Sequence, residues 1–467
     1  MTLNFENKKV VVLGLANTGL SVVRFLRKQG ARVVAADIMS QEDLGHYAEK
    51  ALAMGAGLDL GPHKAETFSA CDLIVVSPGV PHTIEPLKTA RAKGVPVVGE
   101  LELAARHIHE PIVAITGTNG KTTTTSLVGE MLRASGLDVF VGGNIGQPLI
   151  DYVDKGLRTN TIVAEVSSFQ LDTMESFRPK VAVLLNITED HLDRYSDFQG
   201  YVRSKGRIFE NQETTDVAIL NQADPWTGEL EKKVPARKLY FNIPARTSST
   251  GPPRGGRGHG AGESPHGAQI RGDEIMCSLP GHPAVVLSLA KFRLAGVHNV
   301  ENAAAASLAA LSSGASVSGI QKALDRFKGL EHRLQYVKTI NGVAYYDDSK
   351  ATNVDAVVRA LESFDAPVIL IMGGRDKGGS YAGLGERVKT RVKKLIAFGE
   401  SKKSILAVLA GLTDSQGATS LDEAVHLAEK TGSAGDVVLL SPGGSSFDMF
   451  ANYAERGEAF QRAVQSL

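Results

Sequence analysis

The stretch from Ile112 to Arg133 constrains the fold more than any other part of the chain. Ile112-Val-Ala-Ile115 is a short, wholly apolar run, the pattern of a strand buried on both faces. Thr116-Gly117-Thr118-Asn119-Gly120-Lys121-Thr122 follows directly, and Thr123 to Arg133 then reads as helix. Two glycines let such a loop turn tightly, so that consecutive amides point into one concavity, and the helix terminus beyond adds partial positive charge. Lys121 supplies a mobile full charge. Thr122 puts a hydroxyl where a magnesium ion bridging nucleotide phosphates would sit. The loop is shorter than the usual eight-residue form, but strand, loop and helix stand in the required order, which predicts a phosphate site in an α/β unit.

The same alternation recurs on both sides. Lys9 to Leu13 is a strand candidate, followed by Gly14-Leu-Ala-Asn-Thr-Gly19, a helix from Leu20 to Gln29 and a strand from Arg32 to Ala36 that ends at Asp37. The glycines are five apart and Ala16 replaces the middle one of the dinucleotide pattern, so the turn suits the approach of a substrate phosphate rather than a nicotinamide cofactor. Further strands are predicted at Leu73 to Ser77, Val95 to Gly99, Thr161 to Val166, Val181 to Asn186 and Val217 to Asn221. The last third adds Val343 to Asp347, Val368 to Met372, Lys394 to Phe398 and Asp436 to Leu440. A chain of 467 residues exceeds one cooperative core. The expected fold is α/β with three domains: Rossmann-like over 1–99, P-loop ATPase-like over 100–328, and Rossmann-like over 329–467. Residues 244–272, rich in Pro, Gly, Ser and Arg, are expected to form a surface insertion, because they cannot bury enough apolar surface to offset ordering.

Lys plus Arg and Asp plus Glu number 51 each, so no global field favours nucleic acid or an anionic membrane as partner. Cys71 and Cys277 supply neither a disulfide framework nor a metal cluster. The apolar residues after Lys8 and Lys9 are too few for a membrane span. A cytoplasmic protein is expected.

The loop Thr116 to Thr125 resembles the ATP loop of the ligases that assemble the peptidoglycan stem peptide, the Mur ligase family. Other landmarks of that group stand in order: Gly142-Gly-Asn144-Ile-Gly146, Glu165-Val-Ser-Ser-Phe169-Gln170, Asn186 to Arg194 around His191, and Tyr201-Val-Arg-Ser-Lys205. His298-Asn299, His332-Arg333, Asp348-Ser-Lys350-Ala-Thr352-Asn353 and Gly373-Gly-Arg-Asp-Lys377 follow. The carboxyl end, Ser441 to Phe450 with Tyr453 and Arg456-Gly457, resembles the D-glutamate-adding branch.

The resemblance implies ATP-dependent addition of D-glutamate to UDP-N-acetylmuramoyl-L-alanine through an acyl phosphate, by a monomeric acid–D-amino-acid ligase of peptidoglycan synthesis. It implies that Gly117, Thr118, Asn119, Gly120, Lys121, Thr122, Asn299, His332, Arg333, Asp348 and Lys350 bind ATP. Two Mg2+ ions would be held by Thr122, Glu165, His191 and Lys205, with Lys205 converted to a carbamate. Lys121, His191 and Lys205 would carry the chemistry. Gly14, Thr18, Asp37, Ser77, Asn144 and Gln170 would hold the UDP substrate, and Thr352, Lys377, Ser446 and Phe447 the D-glutamate. Ile38 and Met39 stand where the family commonly has a hydroxyl residue and a cation, which puts more of uridine recognition on backbone amides near Gly14 and Ser77. A cyanophycin-like or folylpolyglutamate ligase would keep Lys121, Glu165, His191 and Lys205 but differ at the end of the third domain.

Overall fold

The computed structural model describes residues 4–191, 194–243, 266–294, 296–375 and 380–467. Three sheets organise them. The first has five parallel strands in the order Gly57–Leu60, Arg32–Asp37, Lys9–Leu13, Leu73–Val76, Val97–Gly99. Its central strands are apolar runs because helices cover both faces.

The second sheet has nine strands. Ile112–Thr116 lies between Thr161–Glu165 and Val181–Leu184, all parallel, which puts the loop after it at the carboxyl edge of the sheet's centre. Helix Lys121–Ala134 leaves that loop and buries Leu127, Val128, Met131 and Leu132 on one face. Helix Val297–Ser312 belongs to the same core, where the fully buried Ala303–Ala306 and Ala309 allow close approach.

One sequence expectation is corrected here. Gly267–Arg271 falls inside the segment read as insertion, yet it is a strand paired antiparallel with Glu274–Ser278, which in turn pairs with Val285–Ser288. Ala268 and Ile275 are fully buried, so alternating apolar residues outweighed the local glycine content. The rest of the expected insertion, 244–265, lies outside the described residues.

The third sheet has six strands in the order Gln335–Ile340, Val343–Asp347, Val437–Gly443, Val368–Gly373, Val392–Phe398, Asp414–Gly417. Only the edge pair Gln335–Ile340 with Val343–Asp347 is antiparallel. The chain is thus a three-domain α/β protein. Among the described residues no helix is long and apolar enough to cross a membrane.

Candidate active site

The carboxyl edge of the second sheet faces the third domain across a cleft. Thr118, Asn119, Gly120, Lys121, Thr122, Asn144, Glu165 and His191 line it from one side, and Arg333, Asp348, Lys350 and Thr352 from the other, with Asn299 at a helix start. Gly120 caps helix Lys121–Ala134 with a left-handed φ of 84°, and a Cβ there would meet Asn302 Oδ1 at 2.3 Å. Only glycine satisfies both conditions.

Direct bonds join the two sides. Arg333 Nη2 donates to Thr122 Oγ1 at 2.9 Å, Asn119 Nδ2 to Asp355 Oδ2 at 2.7 Å, and Asn353 Nδ2 to Asp190 Oδ2 at 3.2 Å. Arg333 is half-buried, and desolvation lowers its pKa against the opposing pull of Glu165. Burial also brings the Lys350 ammonium down to about 8 and raises the Asp348 carboxyl to about 7. Asp348 accepts from the Leu334 amide at 3.2 Å and the Ser441 hydroxyl at 2.9 Å.

Two lysines converge on one carbonyl below the loop. Lys121 Nζ donates to the Gly117 oxygen at 2.9 Å and Lys205 Nζ to the same oxygen at 2.8 Å. Lys205 is fully buried, with Nζ 4.6 Å from the Tyr201 ring centroid. Burial first, and the Lys121 charge second, hold its pKa well below that of an ordinary lysine. Gly206 after it is the last residue of helix Phe198–Gly206.

Glu165 Oε1 accepts from Asn144 Nδ2 at 2.8 Å, while its Oε2 is buried with no hydrogen-bond partner. Such an oxygen is costly unless a cation reaches it. Among the described residues no three His, Cys, Asp or Glu side chains gather as a metal-holding group. A magnesium ion that takes most of its ligands from phosphate and water needs only one or two from protein, so Thr122 and Glu165 fit it. His191 has a left-handed φ of 55°, its Nε2 is 3.6 Å from Asp190 Oδ2, and its ring stands edge-on to Phe169.

Other expected residues lie elsewhere. His332 does not line the cleft; its Nδ1 donates to Asp347 Oδ2 at 2.7 Å inside the third domain. Gly14, Thr18, Asp37 and Ser77 gather at the carboxyl edge of the first sheet. Ser77 Oγ donates to the Gly14 carbonyl at 2.8 Å, and Asp37 Oδ2 accepts from the Leu15 amide at 2.8 Å. Ile38 and Met39 beside them are exposed. Gln170 is buried, and its Oε1 closes a capping box with Ser167. Ser446 is buried in the loop after Val437–Gly443, Phe447 is exposed, and Lys377 lies outside the described residues. Sequence reasoning assigned no role to Asp190 and Asn353, although both stand inside the motifs it quoted. It had no signal for Asn302, Asp355 and Arg359, which reach the cleft from helices or helix ends.

Family profiles match the chain in sequence. "Mur ligase MurD-like, N-terminal domain" covers residues 8–99, "Mur ligase middle domain" 115–310, and "Mur ligase, glutamate ligase domain" 332–444. A UDP-N-acetylmuramoylalanine–D-glutamate ligase of Desulfosudis oleivorans is 50% identical over 462 residues, spanning 99% of this chain and 97% of the relative. One of Desulfatibacillum aliphaticivorans is 49% identical over 465 residues and the full length of both. Among solved structures, a pseudomurein peptide ligase type C from Methanothermus fervidus superposes with a TM-score of 0.61 at 20% identity, over 98% of this chain and 100% of that one. The MurF ligase from Thermotoga maritima in complex with ADP superposes with a TM-score of 0.60 at 16% identity, over 100% of this chain and 99% of that one, and at these identities the likeness is one of fold. Matches of this length and order mean that the chain belongs to the Mur ligase family, with an amino-terminal domain of the MurD-like kind.

Proposed function

We propose that this chain joins D-glutamate to UDP-N-acetylmuramoyl-L-alanine at the cost of ATP, releasing ADP and phosphate, as a cytoplasmic, monomeric enzyme of peptidoglycan precursor synthesis. The observation that carries the reading is the end-to-end likeness, at 50% identity, to a relative bearing that activity in its name. The cleft supplies the physical reason. A carboxylate is a poor acceptor for an amine, so the substrate carboxylate first takes the ATP γ-phosphoryl group. The amine then attacks the acyl phosphate, and inorganic phosphate leaves.

Both steps concentrate negative charge, and the chain answers with cations rather than a nucleophile. Lys121 and the loop amides hold the β and γ phosphates. Arg333 and Lys350 bring two more charges from the third domain, and Asn299 and Asp348 flank the nucleotide. Closure of the two domains over the cleft keeps water from the activated carboxylate.

Magnesium, when bound, neutralises phosphate oxygens and polarises the transferring group. Thr122 and Glu165 would hold one ion, and the buried, unpartnered Glu165 Oε2 supports this. His191 and Lys205 would hold a second. An unmodified Lys205 cation would repel it, whereas the neutral amine adds CO2 and loses a proton to become an anionic carbamate. Burial beside a second lysine favours the neutral amine. Gly14, Thr18, Asp37 and Ser77 would receive the UDP moiety, with Asn144 and Gln170 along the path to the cleft. Thr352, Lys377, Ser446 and Phe447 would hold D-glutamate.

Phosphate release with ATP and magnesium, measured across a panel of nucleotide acceptors and amino acids, tests the reading. Turnover is expected only with UDP-N-acetylmuramoyl-L-alanine and D-glutamate together. Turnover with another pair, and none with this one, would overturn it.

A further inference from the structure

Tyr453, Arg456 and Gly457 occupy one face of the final helix, Tyr453–Gln465, at the three- and four-residue spacing that stacks side chains on successive turns. Arg456 is fully buried, yet among the described residues it forms no ion pair. Its Nε donates to Ser349 Oγ at 2.9 Å, its Nη2 to the Ser349 carbonyl at 2.8 Å, and its Nη1 to the Gly444 carbonyl at 3.1 Å. The Ser349 hydroxyl in turn donates to the Tyr453 carbonyl at 2.8 Å. The Tyr453 ring lies under Lys350, whose Nζ is 3.6 Å from the ring centroid. Gly457 leaves room for the neighbouring pair, since a Cβ there would meet His332 Nδ1 at 2.1 Å.

One guanidinium therefore ties together two loops that run to different substrates. Asp348-Ser349-Lys350 reaches the cleft, and Gly444-Ser445-Ser446 belongs to the loop proposed for the amino acid. Asp448, Asp347 and Asp348 attract the guanidinium without pairing with it, yet burial still brings its pKa down to about 10. Stability alone is therefore a poor reason for such a residue, and an apolar side chain of similar volume would cost less. A rigid fork of donors can span two backbone segments, which a lysine's single ammonium on a flexible stem cannot do in the same geometry.

We propose that Arg456 is a positioning residue that keeps the Lys350 turn and the Ser446 loop in one register, so that the phosphate-side cation and the amino-acid site address the same intermediate together. The proposal rests on the function assigned above. Through Arg456, ordering of the amino-acid loop steadies Lys350, and displacement of either loop disturbs both partners.

The test uses the full-length enzyme with Arg456→Lys, Ser349→Ala and the double variant, recording kcat and the KM values for ATP and D-glutamate per folded molecule, with Tm alongside. Arg456→Lys is expected to raise KM for D-glutamate and to lower kcat by about tenfold each, the scale of a small misplacement of reacting groups. Ser349→Ala shifts both constants the same way by less, and the double variant is no worse than Arg456→Lys, because the two lie on one path. A lower Tm with kcat and both KM values within about twofold of wild type would mark Arg456 as merely structural and overturn the proposal. If Arg456→Lys fails to fold, Ser349→Ala decides in the same way. The wild type is assayed first across amines: failure with D-glutamate sinks the substrate assignment, and the Arg456 comparison is then made with the amine that is used.

Discussion

Arg333 Nη2 lies 2.9 Å from Thr122 Oγ1, so the third domain touches the phosphate loop at the hydroxyl proposed as a magnesium ligand. The contact gives domain closure a chemical readout. Replacing Arg333 with lysine keeps the charge and loses the planar fork, and KM for ATP should rise at least about tenfold. Isothermal titration with ADP and magnesium should show the same loss. Unchanged nucleotide affinity in a folded Arg333→Lys protein would remove Arg333 from the ATP site.

Lys205 tests whether chemical state or mere burial matters. Lys205→Ala should lower turnover at least about a hundredfold, the scale of losing charge stabilisation in a buried site. Formate or acetate is expected to restore part of it by occupying the vacated volume. Arginine stays cationic, so Lys205→Arg should be inactive. Intact mass of the wild type in bicarbonate buffer, or density at Lys205, should reveal the added carboxylate. Full activity of Lys205→Arg would sink the metal-ligand role.

The strand Gly267–Arg271 sets a limit on trimming the tract before it. Replacing 246–264 with a short glycine-serine linker should leave turnover within about threefold, since the entropy of closing a loop changes slowly with its length. Extending the cut through Ala268 removes a fully buried residue of the second core and should lower Tm by about 5 °C or more. A collapse of turnover in the shorter deletion, with Tm intact, would make the tract part of the site.

His332 should make the third domain pH-sensitive. Its hydrogen bond with Asp347 raises its pKa above the ordinary 6.5. Protonated His332 therefore stabilises the fold fully below 6.5, and the gain is lost as pH rises through the raised value. The Tm of wild type relative to His332→Gln should be highest in acid and should converge on that of the variant in mild alkali. A constant difference across that window would contradict the linkage.

Lys9–Leu13, Val217–Asn221 and Val343–Asp347 were legible in the sequence to the residue, because a short apolar run with polar ends has few other ways to be buried. Gly57–Leu60 and Asp414–Gly417 were not, since both sit at sheet edges and carry no apolar run of their own. The antiparallel extension from Gly267 was hidden for another reason. Its first residue continues a glycine-rich tract, and only pairing with Glu274–Ser278 distinguishes it.

What the sequence determined by itself was the phosphate loop and its helix, because Gly117, Gly120, Lys121 and Thr122 are neighbours along one backbone turn and their geometry follows from local torsions. Tertiary structure alone decided what stands opposite. Arg333 and Thr122 are 211 residues apart, and Asp355 meets Asn119 across 236. Such pairs depend on how the apolar faces of the second and third domains orient their loop edges, which no local pattern encodes. The same packing turned His332 inward to Asp347 and brought Lys205 under the carbonyl of Gly117.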